Sequence, residues 1–155
     1  MEVINCLLAA YPEATRVQDN EGYLPLHYAC SGDPNKRGSD NKFTPSLEVI
    51  SSLLVAYPDA AKQKSSIVKG QNGNKQGGEL ALYLALKNNA SVEVIRCLLL
   101  SYPEAAREKD EENGYLPLHY ACTGDRKSRS SDSKFTPSFE VISLLLEAYP
   151  DAAKQ

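Results

Sequence analysis

Tyr23-Leu24-Pro25-Leu26-His27-Tyr28-Ala29-Cys30 is written a second time, letter for letter, as Tyr115-Leu116-Pro117-Leu118-His119-Tyr120-Ala121-Cys122, 92 residues downstream. A catalytic site is normally built once. An octapeptide used twice, each time with the same helical sequence after it, marks a stack of similar units instead. Pro25 and Pro117 suit the first position of a helix, where the missing N–H costs nothing and φ is already set. Leu26, Ala29 and Cys30 then fall on one face of a short helix. A third, altered copy lies between the two, Leu80-Ala81-Leu82-Tyr83-Leu84-Ala85-Leu86, in which Ala81 and Tyr83 replace the proline and histidine.

A second motif occurs four times, at Val3–Leu8, Val49–Leu54, Val94–Leu99 and Val141–Leu146, and each copy runs into Tyr-Pro-(Glu/Asp)-Ala. Its apolar residues draw a single stripe along about three helical turns. The proline after Tyr11, Tyr57, Tyr102 or Tyr149 disfavours helical geometry at the tyrosine and ends the helix there. Short and long helices thus alternate. The long helices recur every 45–47 residues, a period that HEAT or armadillo repeats would share. Loop lengths argue otherwise: the long motif starts only eight positions after the end of the middle short motif, against nineteen in the flanking units. The flanking units therefore carry insertions, and the middle unit regains its length from a different one, Lys62 to Gly77.

The minimal unit, with a period of 36 residues from Gly78 to Gly114, resembles the ankyrin repeat. Asp19-Asn20-Glu21-Gly22-Tyr23-Leu24-Pro25-Leu26-His27-Tyr28-Ala29 follows that family's Asp-x-x-Gly-x-Thr-Pro-Leu-His-x-Ala opening, and Asp110 to Ala121 follows it with one extra residue before Gly114. Leu24 and Leu116 stand where the family has threonine, which removes a helix-capping hydroxyl worth about 1 kcal/mol. The expected fold is therefore all-α, an ankyrin-like solenoid of helix pairs with about three and a half units. All of 1–155 forms one domain: a partial unit over 1–18, units over 19–64, 78–109 and 110–155, and a flexible insert over 65–77. Neither end carries a polar capping unit, which suggests a piece of a longer array.

The resemblance implies a non-catalytic module that binds an unidentified protein partner through loop tips and the exposed side of the short helices. By motif position it nominates Asn20, Glu21, Tyr23 and Ser31, then Glu79, Lys87 and Asn88, then Glu112, Asn113, Tyr115 and Thr123. Tyr23 and Tyr115 are the expected anchors, since tyrosine is enriched at binding hot spots; Tyr28 and Tyr120 fall at a family core position. The alternative is a binder of RNA or anionic surfaces through segment 62–78, which holds Lys62, Lys64, Lys69 and Lys75 and no acid. Against it stand a net charge of −3 and the lack of an aromatic residue in that loop for base stacking.

Other chemistry finds little support. No phosphate-cradling glycine loop or nucleophile elbow occurs. His27 with Cys30 and His119 with Cys122 would make an acceptable zinc shell, but two helix spacings of about 8–10 Å separate the pairs, far beyond metal–ligand bonds. No metal or cofactor is expected. The four cysteines sit among apolar residues and are expected as reduced core thiols, consistent with an intracellular protein, as is the lack of a secretory leader at Met1. No apolar run approaches the ~18 residues of a membrane span. Thr44-Pro45 and Thr136-Pro137 read as helix caps, with proline-directed phosphorylation as the second reading.

Overall fold

A computed structural model describes residues 2–31, 44–66, 68–69, 75–76, 78–111, 113–123 and 137–154. These residues form seven α-helices: α1 (Glu2–Ala10), α2 (Pro25–Ser31), α3 (Leu47–Ala56), α4 (Ala81–Lys87), α5 (Val92–Ser101), α6 (Pro117–Thr123) and α7 (Phe139–Ala148). The class is all-α; among the described residues the one departure is a two-stranded ribbon, β1 (Val68–Lys69) against β2 (Lys75–Gln76). Each long helix stops at its tyrosine, whose N–H still reaches the carbonyl four residues back, as in Tyr57 to Leu53 (2.8 Å). The proline then opens a 3-10 turn: Pro12–Arg16, Pro58–Lys62, Pro103–Ala106 and Pro150–Lys154. Those turns were not foreseen. Their alanines Ala60, Ala61, Ala105 and Ala106 are buried, which explains the fixed Tyr-Pro-acid-Ala spelling.

The helices pack in two layers. Short helices α2, α4 and α6 contact one another in that order, long helices α1, α3, α5 and α7 do likewise, and each short helix rests on the long helix that follows it. Helix α4, flanked on both sides, buries all of Ala81–Leu86. That location accounts for its more apolar spelling. Asn89, in the left-handed region at φ 51, closes α4; Ala90 N–H reaches the Ala85 carbonyl and Asn89 N–H the Leu86 carbonyl. This Schellman-type stop lets four residues carry the chain from α4 to α5.

Three sequence expectations need correction. The serines, not the threonines, occupy the cap positions: Ser46 precedes α3, and Ser138 accepts a hydrogen bond from Val141 N–H at the start of α7. Ser91 does the same for α5. Thr44 lies two residues before the cap Ser46, with Pro45 buried beside it, and Thr136 lies outside the described residues. Second, only Cys30 is a core thiol; Cys97 is half-buried, and Cys6 and Cys122 are exposed. Among the described residues, Cys122 sits on α6 with a short-helix neighbour on one side only, whereas its counterpart Cys30 is covered from the α4 side. Third, Leu24 and Leu116 are fully buried. Burying a leucine is worth about 1.5–3 kcal/mol, more than the lost hydroxyl cap at about 1 kcal/mol.

Candidate functional site

Asn20, Glu21, Tyr23, Glu79, Asn113 and Tyr115 sit at three turns that precede the short helices, whereas Ser31, Lys87, Asn88 and Thr123 lie at the far ends of those helices. In the first, Asp19 and Tyr23 are bonded through Asp19 N–H to the Tyr23 carbonyl (3.0 Å), and Gly22 N–H closes on the Asp19 carbonyl (3.0 Å). The Asp19 side chain completes the turn: Oδ1 accepts from the N–H groups of Glu21 (2.9 Å) and Tyr23 (2.8 Å), and Oδ2 accepts from the Tyr28 hydroxyl. Gly22 adopts φ 74, the left-handed region that glycine enters at no steric cost. The third turn repeats the design. Asp110 N–H bonds the Tyr115 carbonyl (2.8 Å), Asp110 Oδ1 accepts from Asn113 and Gly114 N–H, and the Tyr120 hydroxyl donates to Oδ2 at 2.5 Å.

The middle turn reaches the same shape with different residues. Ser65 takes the aspartate's place: its N–H bonds the Glu79 carbonyl (3.1 Å), its carbonyl accepts from Gly78 N–H (3.0 Å), and its Oγ accepts from Glu79 N–H (3.2 Å). Gly78 holds φ 72. The insertion thus begins after Ser65 rather than at Lys62, and the β1–β2 ribbon lies within it. Two further links join the turns. Ser66 N–H donates to the Glu21 carbonyl (2.9 Å), and Lys64 pairs with Glu108 (3.0 Å) and Glu111 (3.6 Å).

Behind the turns, both histidines bond the backbone at the start of their own helices. His27 Nδ1 accepts from Leu24 N–H (2.9 Å), leaving Nε2–H to donate to the Gln63 carbonyl (3.0 Å) at the head of the next turn. Burial holds the His27 imidazole below its usual range, against the opposing pull of its backbone bonds, so it is neutral at pH 7. His119 Nδ1 accepts from Leu116 N–H (3.1 Å). Tyr83 fills the corresponding place in α4. Its single hydroxyl proton is shared between the carbonyls of Glu108 (2.5 Å) and Tyr115 (3.0 Å), and Glu108 is the counterpart of Gln63.

Asn20 and Glu21 stand exposed at the first turn and Asn113 at the third, while Glu112 lies outside the described residues. Tyr23 and Tyr115 are half-buried: Tyr23 meets His27 edge-on at 5.6 Å and Tyr115 stacks on His119 at 5.3 Å. Glu79 and Lys87 form an ion pair, with the Lys87 ammonium 5.1 Å above the Tyr120 ring. Asn113 Nδ2 approaches the Tyr120 hydroxyl at 3.4 Å. Glu79, Lys87, Asn113 and Tyr115 are therefore brought around one ring.

Other nominees serve the scaffold. Asn88 caps α4, donating to the carbonyls of Leu84 (2.7 Å) and Cys30 (3.3 Å), and Thr123 Oγ1 donates to the His119 carbonyl (2.7 Å). Ser31 is half-buried at the end of α2.

Tyr28 departs from the expected core role, being exposed, whereas Tyr120 is buried. The motif places Asp19 and Asp110 at the head of each full unit but assigns them no partner. The signal was present: in each full copy an aspartate precedes the helix tyrosine, by nine residues in one and ten in the other. The Asp19 hydrogen bond pushes the Tyr28 hydroxyl up to about 12. For Asp19 itself, burial works toward a higher value, but the bonds from Tyr28, Tyr23 and Glu21 outweigh it and hold the carboxyl below its usual range.

Among the described residues no group of three or more histidine, cysteine, aspartate or glutamate side chains could hold a metal ion, and no helix is long and apolar enough to cross a membrane. No family model matches the sequence, and no curated protein matches it significantly.

Proposed function

We infer that the chain is an ankyrin-like array whose function is to bind another protein, and that it has no catalytic activity of its own. The observation that carries this reading is the construction of the turns. Backbone N–H groups and a tyrosine hydroxyl hold the Asp19 and Asp110 carboxylates, which fixes the turns while Asn20, Glu21 and Asn113 stay exposed. Holding side chains in place before contact lowers the ordering cost of binding. Turns of one shape with different outward residues suit recognition of an extended partner surface.

Two groups that a catalyst could use, the His27 ring and the Cys30 thiol, are held by the scaffold. Both ring nitrogens of His27 are bonded to backbone, and burial, with Cys97 nearby, pushes the Cys30 thiol up to about 12. The anionic-surface alternative loses force for a similar reason. Lys62 is paired with Asp59 (2.8 Å) and Lys64 with two glutamates, so two of the four lysines are already partnered by acids. An intracellular location and membership of a longer array fit this reading and belong to the same proposal.

The test is affinity capture with the intact chain and with a Glu21→Arg/Asn113→Arg variant. The partner set is expected to be lost in the variant while its urea midpoint stays put. Capture that ignores both substitutions overturns the assignment of the turns.

A further inference from the structure

We propose that the outward side of the long helices α3, α5 and α7 is a second docking surface, which receives a basic amphipathic helix of another protein laid across them. Val55 and Leu100 mark it, at 84% and 77% exposure. Each stands six residues after the first valine of its long motif, Val49 or Val94. They are therefore side by side, since α3 and α5 pack together. Both helices lie inside the stack. Helix α3 has α1 and α5 at its flanks, α5 has α3 and α7, and the short helices α2 and α4 cover their inner side. Units added at either end of such an array do not reach the outward side.

Helix formation does not account for these two residues. The same position holds Ala9 on α1 and Glu147 on α7, so the helix accepts a small or a charged side chain there. Valine, being β-branched, loses rotamer freedom in a helix. At 84% exposure Val55 recovers nothing by burial.

Charge specifies the partner. Helices α3, α5 and α7 hold four glutamates, Glu48, Glu93, Glu140 and Glu147, all exposed, and a single base, Arg96. Glu48, Glu140 and Glu147 form no ion pair among the described residues. The helix dipole favours acids in a first turn, which explains Glu48, Glu93 and Glu140. It opposes Glu147, which sits in the last turn of α7. Glu48 and Val55 are seven residues apart, as are Glu93 and Leu100. Seven residues are two turns, or about 10.5 Å along one line of the helix. The surface is thus a row of acids with an apolar pair one helix width away.

A partner helix is about 10–12 Å across with its side chains, so one laid across the layer covers both rows. Its leucines meet Val55 and Leu100 and its lysines or arginines meet the glutamates, a form of helix-face recognition. Neighbouring helices pack about 8–10 Å apart, so basic residues seven apart along the partner fall opposite successive acids. A second copy of this chain or an anionic membrane is disfavoured, because like charges would face each other.

The experiment titrates the 15N-labelled full chain with a synthetic peptide of about 18 residues, long enough to cross three helices. The peptide carries leucines along one helical face and lysines seven residues apart. Saturable amide shifts at Val55 and Leu100, and smaller ones at Glu48 and Glu140, are expected. A chain carrying Val55→Gln and Leu100→Gln should bind at least about tenfold more weakly, as for loss of central anchors. A peptide with glutamate in place of lysine, or with the same composition scrambled, should lose as much. Both substituted positions are exposed, so the thermal melt of the double variant should not change, which separates lost docking from lost folding. The Glu21→Arg/Asn113→Arg variant should bind the peptide like the parent chain, so this surface and the turns fail separately. Absence of saturable shifts at Val55 and Leu100 would overturn the proposal. So would equal binding by the double variant or by either altered peptide, or sedimentation showing a dimer formed through this face.

Discussion

Gly22 and Gly114 offer a controlled comparison, because they share a backbone conformation and differ in what lies next to them. Their φ angles are 74° and 70°. Alanine in the left-handed region costs about 1–2 kcal/mol, partly offset by about 0.4–1 kcal/mol from a less flexible unfolded chain. Gly114→Ala should therefore destabilise by about 1 kcal/mol, since a Cβ there meets nothing within 4 Å. At Gly22 the added carbon would lie 2.5 Å from Ser66 N and 2.9 Å from Ser66 Cβ. The obstacle includes backbone, so the first and middle turns must separate. That motion sacrifices the Ser66 N–H bond to Glu21, a further ~1 kcal/mol, along with local packing. Gly22→Ala should thus cost about 2–3 kcal/mol. For a chain of this size each kcal/mol moves the midpoint by about 2–4 °C, so melts followed by circular dichroism should place Gly22→Ala several degrees below Gly114→Ala. Hydrogen exchange at the Ser66 amide should accelerate in the first variant alone. Equal losses at the two sites would refute the claim that the turns are wedged against each other.

Removing the Tyr83 hydroxyl with Tyr83→Phe deprives the Glu108 and Tyr115 carbonyls of a buried donor and should cost about 1–3 kcal/mol, measured by urea denaturation. Thiol titration of the native chain should modify Cys6 and Cys122 first, Cys97 more slowly and Cys30 last, because the thiolate is the reactive form and burial suppresses it. Tyr28 should titrate near pH 12 in an absorbance experiment. Because an unfolded tyrosine ionises near 10, the stability it contributes is complete below pH 10 and declines as pH rises toward 12. Tyr28→Phe should remove that component of the alkaline loss.

The helices were legible because they are written in period: four copies of the Val-Ile…Leu-Leu stripe and three of the short motif fix what is helical and which face is apolar. Proline placement was equally legible, as Pro25 and Pro117 do open α2 and α6. Relations between units were not. Nothing in the letters of Tyr83 says that its hydroxyl reaches the counterpart of the carbonyl that His27 reaches, because that equivalence exists only once the units are packed. The cysteines show the same limit from the other side. Cys30 and Cys122 share one local sequence, yet one is buried and the other exposed, because neighbours decide burial. Ser65 was missed since it replaces an aspartate across an insertion, where sequence register is lost and only the bonds to Gly78 and Glu79 restore it.

The exchange of His27 for Tyr83 makes the two junctions between turns respond differently to acid. His27 must keep Nδ1 unprotonated to accept from Leu24 N–H, and burial already holds its pKa below the usual value. Above about pH 6.5 both the folded and the opened chain carry neutral histidine, so no penalty exists there. As pH falls through 6.5, the opened chain takes up a proton that the folded chain declines, and stability drops by at most about 1.4 kcal/mol per pH unit. Tyr83 has no such window, because burial, then the nearby Asp110 charge, raise its pKa and it stays neutral throughout. Native-state hydrogen exchange at pH 7.0 and 5.5 should therefore show the Ser65 and Ser66 amides losing protection at the lower pH, after correction for intrinsic rates. The Asp110 and Gly114 amides should keep theirs. His27→Gln, which cannot titrate, should abolish the difference between junctions. A uniform loss across both, or a difference that survives His27→Gln, would show that the acid response arises elsewhere than in this imidazole.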